Sequence, residues 1–268
     1  MTERQINGVT FLTADAFTAA GGVAHGFSTR LGGVSQGIYA SLNLSSTRGD
    51  DLDCVRENYR RFCAAIGADV SRVVMTNQVH ETVIRTVGPN DIKADLCQRE
   101  EYECDGLITD VPGLALTIFT ADCIPVLLYD PVKKVIAAVH AGWRGTAGNI
   151  AGKAVDKMRE EYGSDPGDIL AAIGPGISAC CFETHADVPE AMTAVLGELA
   201  KPHMTALENG KFHVDLKGIN AALLKRSGVA SGHIEISGDC TACHPEKYWS
   251  HRLTQGQRGN QAAMLQLI

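Results

Sequence analysis

Residues 114–162 read LALTIFTADCIPVLLYDPVKKVIAAVHAGWRGTAGNIAGKAVDKMREEY, and this stretch decides the fold class. Its first part contains short, almost wholly apolar runs separated by turn residues such as Asp130-Pro131, and each run predicts a buried strand. The predicted strands are 114–120, 126–129 and 135–139. Apolar side chains then recur at helical spacing over 146–162, and Gly163 ends the predicted helix. Strands followed by an amphipathic helix indicate a sheet that is covered by a helix.

The rest of the chain extends this pattern in both directions. Helices are predicted over 51–66, which Gly67 closes, and over 187–199 and 215–227. Further strands are predicted at 73–75, 82–84, 169–173 and 233–237. Because strands and helices interleave while several strands lie close enough for hairpins, we expect an α/β (α+β) fold with a mixed sheet flanked by helices. No linker or repeat divides the chain, so residues 1–268 are predicted to form a single layered domain.

Composition excludes several classes of protein. The chain has 268 residues, of which 45% are hydrophobic and 21% charged, and its formal net charge is -7. This composition argues against disorder, and the negative charge argues against nucleic-acid binding through bulk positive charge. No apolar run is long enough to cross a membrane, and residues 1–8 do not have the pattern of a signal peptide, so we expect a cytoplasmic protein. The nine cysteines are scattered, which favours buried thiols, metal ligands or a nucleophile over disulfides.

Candidate chemistry lies at the ends of predicted strands. His80, Cys123 and His140 each follow or end an apolar run, where a rigid sheet presents side chains to a cleft. One thiolate and two imidazoles would form a zinc site with an open fourth position, which is typical of catalytic zinc. The wide spacing matches no short metal signature. Taken alone, the pattern therefore favours a buried cysteine and two hydrogen-bonded histidines.

A second candidate feature follows His140. Ala141-Gly142 lets the chain turn sharply into a helix, whose N-terminal N–H groups together with Arg144 predict an anion site for phosphate or a carboxylate. The alternative is that Gly142 only permits close packing and that Arg144 lies on the surface.

Several short motifs resemble, in order, those of the laccase-domain family. Members are also called purine nucleoside phosphorylases or peptidoglycan editing factors, and formerly polyphenol oxidases. The matching motifs are His25-Gly-Phe-Ser-Thr-Arg-Leu-Gly-Gly-Val-Ser35, Tyr39-Ala-Ser-Leu-Asn-Leu44, Gln78-Val-His80, Thr120-Ala-Asp-Cys123, His140-Ala-Gly-Trp-Arg-Gly145, Ile173-Gly-Pro-Gly-Ile177, Cys240-Thr241 and Trp249-Ser-His-Arg252. The resemblance implies a layered α/β fold, which also occurs in a deamidating toxin that uses a Cys–His pair.

The resemblance also implies an activity. It assigns His80, Cys123 and His140 as catalytic residues and as ligands of a zinc ion, in place of the copper that the older oxidase name supposed. The expected partners are small molecules, because family members cleave adenosine, inosine, guanosine and methylthioadenosine with phosphate and deaminate adenosine. One alternative is an amidase that removes wrongly incorporated amino acids from peptidoglycan precursors, with Cys123 as nucleophile and His140 as its base. The other alternative is a copper-dependent polyphenol oxidase.

Four further residues are candidates for substrate binding, in addition to Arg144. By resemblance, Arg30 and Asn43 lie on a loop that folds over the pocket. Gln78 stands two residues before His80, so in an extended segment both side chains point to the same side. Arg252 is expected to reach phosphate or to pair with an acidic side chain.

Two departures from simple patterns need interpretation. The family often carries Thr-Gly-Arg-Gln where this chain has Arg258-Gly-Asn-Gln261, so that Asn260 replaces an arginine and the substrate specificity becomes uncertain.

Cys240-Thr-Ala-Cys243-His244 spells the attachment pattern of c-type haem, but haem attachment requires export. A zinc knuckle would need two further ligands, and none is evident nearby in the sequence. We therefore expect two thiols near the wall of the cleft.

Overall fold

The computed structural model describes residues 1–268, which form three β-sheets and seven α-helices. The first six-stranded sheet has the order β1-β2-β3-β15-β7-β4, and the second has the order β14-β10-β8-β9-β6-β5. A small third sheet has the order β11-β13-β12. Its strands are β11 (Glu183–Thr184), β12 (Met204–Ala206) and β13 (Phe212–Val214).

The strands of the two large sheets are mostly short. Those of the first sheet are β1 (Thr2–Ile6), β2 (Val9–Thr13), β3 (Val23–Ser28), β4 (Val73–Met75), β7 (Ala115–Thr120) and β15 (Gln261–Leu267). Those of the second sheet are β5 (Ile84–Thr86), β6 (Gly106–Thr109), β8 (Ile124–Asp130), β9 (Val135–Ala141), β10 (Leu170–Ile173) and β14 (Ile234–Ile236). Both sheets contain parallel and antiparallel pairs, so the sheets are mixed as predicted, although the chain forms two large sheets where one was expected.

The longer helices cover the outer faces of the two sheets. The seven helices are α1 (Asp15–Ala20), α2 (Leu52–Ile66), α3 (Trp143–Ala147), α4 (Ile150–Tyr162), α5 (Asp187–Leu196), α6 (Leu216–Arg226) and α7 (His251–Thr254). None of them combines the length and the apolar character that a membrane-spanning helix needs.

Strand β8 shows why the apolar runs lack polar alternation. Val126 and Leu128 belong to the core beneath α4, α5 and α6, whereas Leu127 and Tyr129 belong to the core between the two large sheets. Successive side chains of a strand point to opposite faces, so a strand between two cores is apolar throughout. On the far side, α2 packs against the outer face of the first sheet. The result is four layers in the order helix, sheet, sheet, helix, and the predicted α/β fold class is confirmed.

Most predicted elements are present, and the differences arise from local backbone geometry. The helix predicted over 146–162 is instead two helices, because Asn149 adopts a left-handed conformation with φ 60° between α3 and α4. The strand predicted at 82–84 begins only at Ile84. The helix predicted to reach residue 199 ends at Leu196, and a 3₁₀ segment follows from Gly197.

Candidate active site and metal centre

Three side chains from distant parts of the chain meet at one end of the sheet sandwich. The chain leaves the first sheet at Thr120 and enters the second at Ile124, so Cys123 lies in the turn that crosses between the two sheets. His140 lies opposite Pro125 in the β8–β9 pair, and His80 lies in the loop before β5. The donor atoms of His80, Cys123 and His140 lie within 4.8 Å of one another. The structure therefore brings together the three residues for which the metal site was predicted.

Asp105 holds two of these residues in place. Its fully buried carboxylate accepts hydrogen bonds from the backbone N–H groups of Val79, His80 and Glu81 at 2.9–3.0 Å. The same carboxylate lies 2.8 Å from Nδ1 of His140. A carboxylate on Nδ1 fixes the tautomer of the imidazole and leaves Nε2 free as a ligand or base. One buried side chain thus orients both the His80 loop and the His140 ring.

The thiol of Cys123 has an unusually low pKa. Burial alone would raise it, but His140 and His80 outweigh burial and lower the pKa of Cys123 to about 6. Burial alone would lower the pKa of His140, but Cys123 and Asp105 raise it to about 9. Near neutral pH, and without a metal ion, the two groups therefore form a thiolate–imidazolium pair. A thiolate is the form of cysteine that binds metal ions and attacks electrophiles.

Two adjoining cavities open onto these residues. The first has about 240 Å³ and contains His80, Cys123 and an apolar wall formed by Trp143, Ile177, Phe182 and Leu216. Three arginines line it as well: Arg48, Arg252 and Arg258. The second cavity has about 280 Å³, is mostly polar and shares Arg48 and His80 with the first. A ligand with an apolar ring, polar groups and an anionic group would match these surroundings.

Arg258 carries a buried charge without a carboxylate partner. Only 7% of its surface is exposed, its guanidinium contacts Gly259, Asn260 and His251, and its Nε has no hydrogen-bond partner. Burial and the nearby Arg48 lower the pKa of Arg258 to about 10, so the group remains charged at neutral pH. An uncompensated buried cation is costly, and an anion in the cavity would offset that cost.

Asp122 has a structural role, although it stands next to Cys123. Its carboxylate accepts hydrogen bonds from Thr241 Oγ1 at 2.6 Å, Ser250 Oγ at 3.0 Å and the Arg252 backbone N–H at 2.7 Å. Its φ of 89° is rare for a residue with a side chain. Asp122 thus ties the turn between the sheets to the C-terminal segment that carries Arg252.

Two of the predicted substrate-binding residues, Gln78 and Asn43, have their polar atoms bound within the protein. Gln78 anchors its amide on the backbone of Phe119, and His80 has φ 65°, so the segment is not extended as the prediction assumed. Asn43 is fully buried and bonds Ser45, Asp50 and the N–H of Asn260. Gln78 lines the polar cavity, whereas Asn43 reaches neither cavity.

The predicted arginines differ in position. Arg30 donates to the carbonyls of Ala40 and Pro245 and stacks on Trp249 at 3.9 Å, so it holds loops together and does not line either cavity. Arg144 stacks on Trp143 at 4.2 Å and is likewise outside both linings, so the predicted anion site at the start of α3 does not face either cavity through this arginine. Arg252 does line the apolar cavity.

Sequence reasoning missed Asp105, Arg48 and Arg258. Asp105 directly precedes the buried strand β6, a position that could have indicated a buried carboxylate near a strand end. Arg258 occupies the departure from the family pattern, two residues before Asn260. The family pattern draws attention to the arginine that is absent at Asn260, whereas Arg258 is the arginine that lines the cavity.

The protein is thus a four-layer α/β protein with a candidate metal centre, the His–Cys–His cluster, at one end of the sheet sandwich. The chain belongs to the family described as multi-copper polyphenol oxidoreductase laccase, whose sequence model matches residues 24–268.

Individual relatives agree with this assignment. A purine nucleoside phosphorylase of Deinococcus radiodurans is 40% identical over 247 residues, which cover 91% of this chain and 89% of that protein. A protein named adenosine deaminase RL5, from an unknown prokaryote, is 32% identical over 84% of this chain and 87% of its own length. The crystal structure of the Bacillus licheniformis protein YfiH superposes with a TM-score of 0.92 at 31% identity and covers 99% of both chains.

The donor set fits the metal ion that such a family implies. Two imidazoles and a thiolate suit a borderline-soft divalent ion, and three protein ligands leave a fourth position open. A Cβ atom at Gly142 would lie 3.1 Å from the His80 ring and 3.3 Å from Cys123 Sγ, which is tighter than most such contacts, so a glycine here avoids crowding the two ligands. The three donor atoms lie within 4.8 Å of one another, as the ligands of one ion would.

Proposed function

We propose that the protein is a zinc-dependent purine nucleoside phosphorylase, which acts on adenosine, inosine, guanosine and methylthioadenosine and also deaminates adenosine. The observation that carries the proposal is the meeting of His80, Cys123 and His140 beside a cavity with an apolar wall and three arginines. The names of the relatives support the choice of nucleosides as substrates.

The cavity offers a separate surface for each part of the reaction. In phosphorolysis, a phosphate oxygen forms a bond to the anomeric carbon of the sugar as the carbon–nitrogen bond breaks. The base leaves with the electron pair and takes up a proton. We place the phosphate on Arg48, Arg252 and Arg258, which can bind its oxygens through charge-assisted hydrogen bonds. We place the purine against Trp143 and Phe182.

The remaining residues of the centre have positioning roles. Asp105 keeps the His140 imidazole in one tautomer, and the backbone hydrogen bonds to Asp105 hold His80 beside it. The apolar wall restricts water around the sugar, so that phosphate can compete with hydrolysis. A zinc ion held by His80, Cys123 and His140 would supply Lewis-acid chemistry and make hydroxide available near neutral pH, which suits deamination.

The direct experiment measures free base released from adenosine, inosine and guanosine by purified protein, with and without inorganic phosphate. We expect base and sugar phosphate only when phosphate is present, whereas inosine should form from adenosine in either condition. Elemental analysis of the same sample should find zinc. Intact nucleosides in the presence of phosphate would contradict the proposal, and copper in place of zinc would contradict its metal assignment.

A second candidate is a thiol-dependent amidase that acts on peptidoglycan precursors. The observation in its favour is the order Cys123, His140 and Asp105, in which a low-pKa thiol lies beside an imidazole that is oriented by a buried carboxylate. This arrangement resembles a nucleophile, base and orienting acid. The amidase should release a free amino acid from a muramyl peptide precursor and should remain active after chelation.

Replacing Arg258 tests the phosphate site. Arg258→Gln is expected to raise KM for phosphate by about 10- to 100-fold, since a hydrogen bond to a charged group contributes ~1.5–3 kcal/mol. Deamination needs no phosphate and should be unchanged. Because the buried charge has no carboxylate partner without a ligand, the variant should melt no lower than the wild type. Steady-state kinetics with varied phosphate and thermal melting measure these effects.

Arg72→Gln is the matched control. Arg72 also donates to backbone carbonyls, those of Gly113 and Pro112, but it lies outside both cavities. An unchanged KM for phosphate in Arg258→Gln, or an equal rise in both variants, would remove Arg258 from the proposed site.

A further inference from the structure

Four cysteines form a second cluster outside the site described above. Cys180 and Cys181 lie in the turn after β10, and Cys240 and Cys243 lie in the segment after β14. Their sulfur atoms all lie within 4.8 Å of one another. Cys243 Sγ is 3.5 Å from Cys180 Sγ and 3.4 Å from Cys181 Sγ. We propose that these four thiolates bind a structural zinc ion, independently of the metal centre at Cys123.

The geometry of the cluster suits tetrahedral coordination. Four sulfurs at about 2.3 Å from a central zinc ion would stand about 3.8 Å apart, close to the separations in the cluster. Cys240 and Cys243 are separated by two residues, the shortest spacing typical of zinc ligands. The further ligands that a zinc knuckle needs, and that the sequence did not reveal nearby, come from a turn some sixty residues earlier in the chain. All four positions are protein sulfurs, so the site is closed and therefore structural.

The surroundings of Cys240 suit a sulfur atom that carries negative charge. The backbone N–H of Ser178 donates to Cys240 Sγ at 3.3 Å, and N–H donors stabilise sulfur that carries negative charge. The buried ammonium of Lys217 donates to the carbonyls of Ser237 and Asp239, and Asp239 directly precedes Cys240. A divalent ion with four thiolates carries a net charge of about −2, which this cation offsets in part. Binding would release the four thiol protons to solvent.

The proposed ion would hold together two segments that form the apolar cavity. One segment supplies Ile177 and Phe182 to the wall, and the other leads to Arg252. The segments already touch, because Gly176 pairs with Cys240 and Arg252 donates to the carbonyls of Cys181 and Glu183. A zinc ion would fix this junction without contacting a substrate.

Counting metal ions tests the proposal. Protein purified under reducing conditions with zinc supplied should contain two zinc ions per chain by elemental analysis and native mass spectrometry. Cys243→Ser should lose one ion and retain the other, Cys123→Ser should lose only the other, and Cys54→Ser should lose neither. Cys54 is a suitable control because it lies on α2, away from both clusters.

A spectroscopic measurement identifies the ligands without measuring activity. Cobalt substituted into Cys123→Ser should show the strong sulfur-to-cobalt charge transfer of four thiolates, and Cys180→Ser in that background should weaken it. Should Cys243 instead form a disulfide with Cys180 or Cys181, the intact protein would have two fewer free thiols and no ion there, which would overturn the proposal. A metal content that Cys243→Ser and Cys180→Ser leave unchanged would also overturn it. If the Cys123 centre binds no ion, the wild type should contain one zinc ion and Cys243→Ser should contain none. That result would support the four-cysteine site and contradict only the zinc assignment at Cys123.

Discussion

Cys123→Ala is expected to abolish phosphorolysis and deamination and to remove the metal ion bound by His80, Cys123 and His140. Two imidazoles alone form a weak zinc site. Turnover should therefore fall by at least about 10³-fold, as it does when one of several catalytic residues that act together is removed. The fold should survive, because Cys123 lies in a turn at the end of the sandwich and is partly exposed. Turnover, metal content and thermal melting should be measured on the same preparations.

The same variant separates the two candidate functions. Loss of turnover together with loss of one metal ion supports the zinc enzyme. Lost turnover with unchanged metal content would contradict it and favour Cys123 as a nucleophile. Cys54→Ser provides the control for a general effect of removing a thiol, and it should retain both properties.

Asp105→Asn is expected to have the second largest effect, on metal affinity and on stability. Burial alone would raise the pKa of Asp105, but the hydrogen bonds from His140, Glu81 and Val79 outweigh burial and lower it, so the native group is a carboxylate. An amide has one acceptor oxygen, and its NH₂ group would face N–H donors. Each buried donor left unsatisfied costs about 1–3 kcal/mol. Loss of a carboxylate behind a metal-binding imidazole weakens metal binding by about 10- to 100-fold.

Competition with a chelator and thermal melting measure these two effects. Asp130→Asn is the matched control, because Asp130 is also fully buried but accepts its hydrogen bonds through one oxygen, which an asparagine retains. It should lose less stability and keep its metal affinity. If Asp105→Asn bound zinc as tightly as the wild type, Asp105 would not be a positioning residue for the centre.

Local patterns predicted most of the strands and the mixed α/β fold class, because the strands are marked by their own composition, but they did not predict that the strands divide into two packed sheets. A strand such as β8, apolar on both faces, can be recognised without knowing its neighbours. The break at Asn149 was missed because the helical spacing of apolar residues continues on both sides of it. Nothing in that spacing marks the left-handed conformation of Asn149.

The site was only partly predictable, for a related reason. Motifs identified His80, Cys123 and His140, but their convergence depends on a chain crossing between two sheets, which no local pattern encodes. The roles of Asp105 and Arg258 depend on residues far away in sequence, because His140 contacts Asp105 and the charge of Arg48 acts on Arg258. The four-cysteine cluster was missed on the same grounds, since its two halves come from segments that approach only in the folded chain.

The crossing at Cys123 has a consequence for how the centre can evolve. The thiol stands at the seam between the two sheets, while His140 belongs to the second sheet alone. Packing between the sheets, through side chains such as Leu127 and Ile136, therefore sets the spacing of the ligands. The donors are preorganised when the sandwich assembles, so little ordering remains for the moment of binding. Substitutions deep in that interior could tune ion affinity without altering any residue that touches the ion.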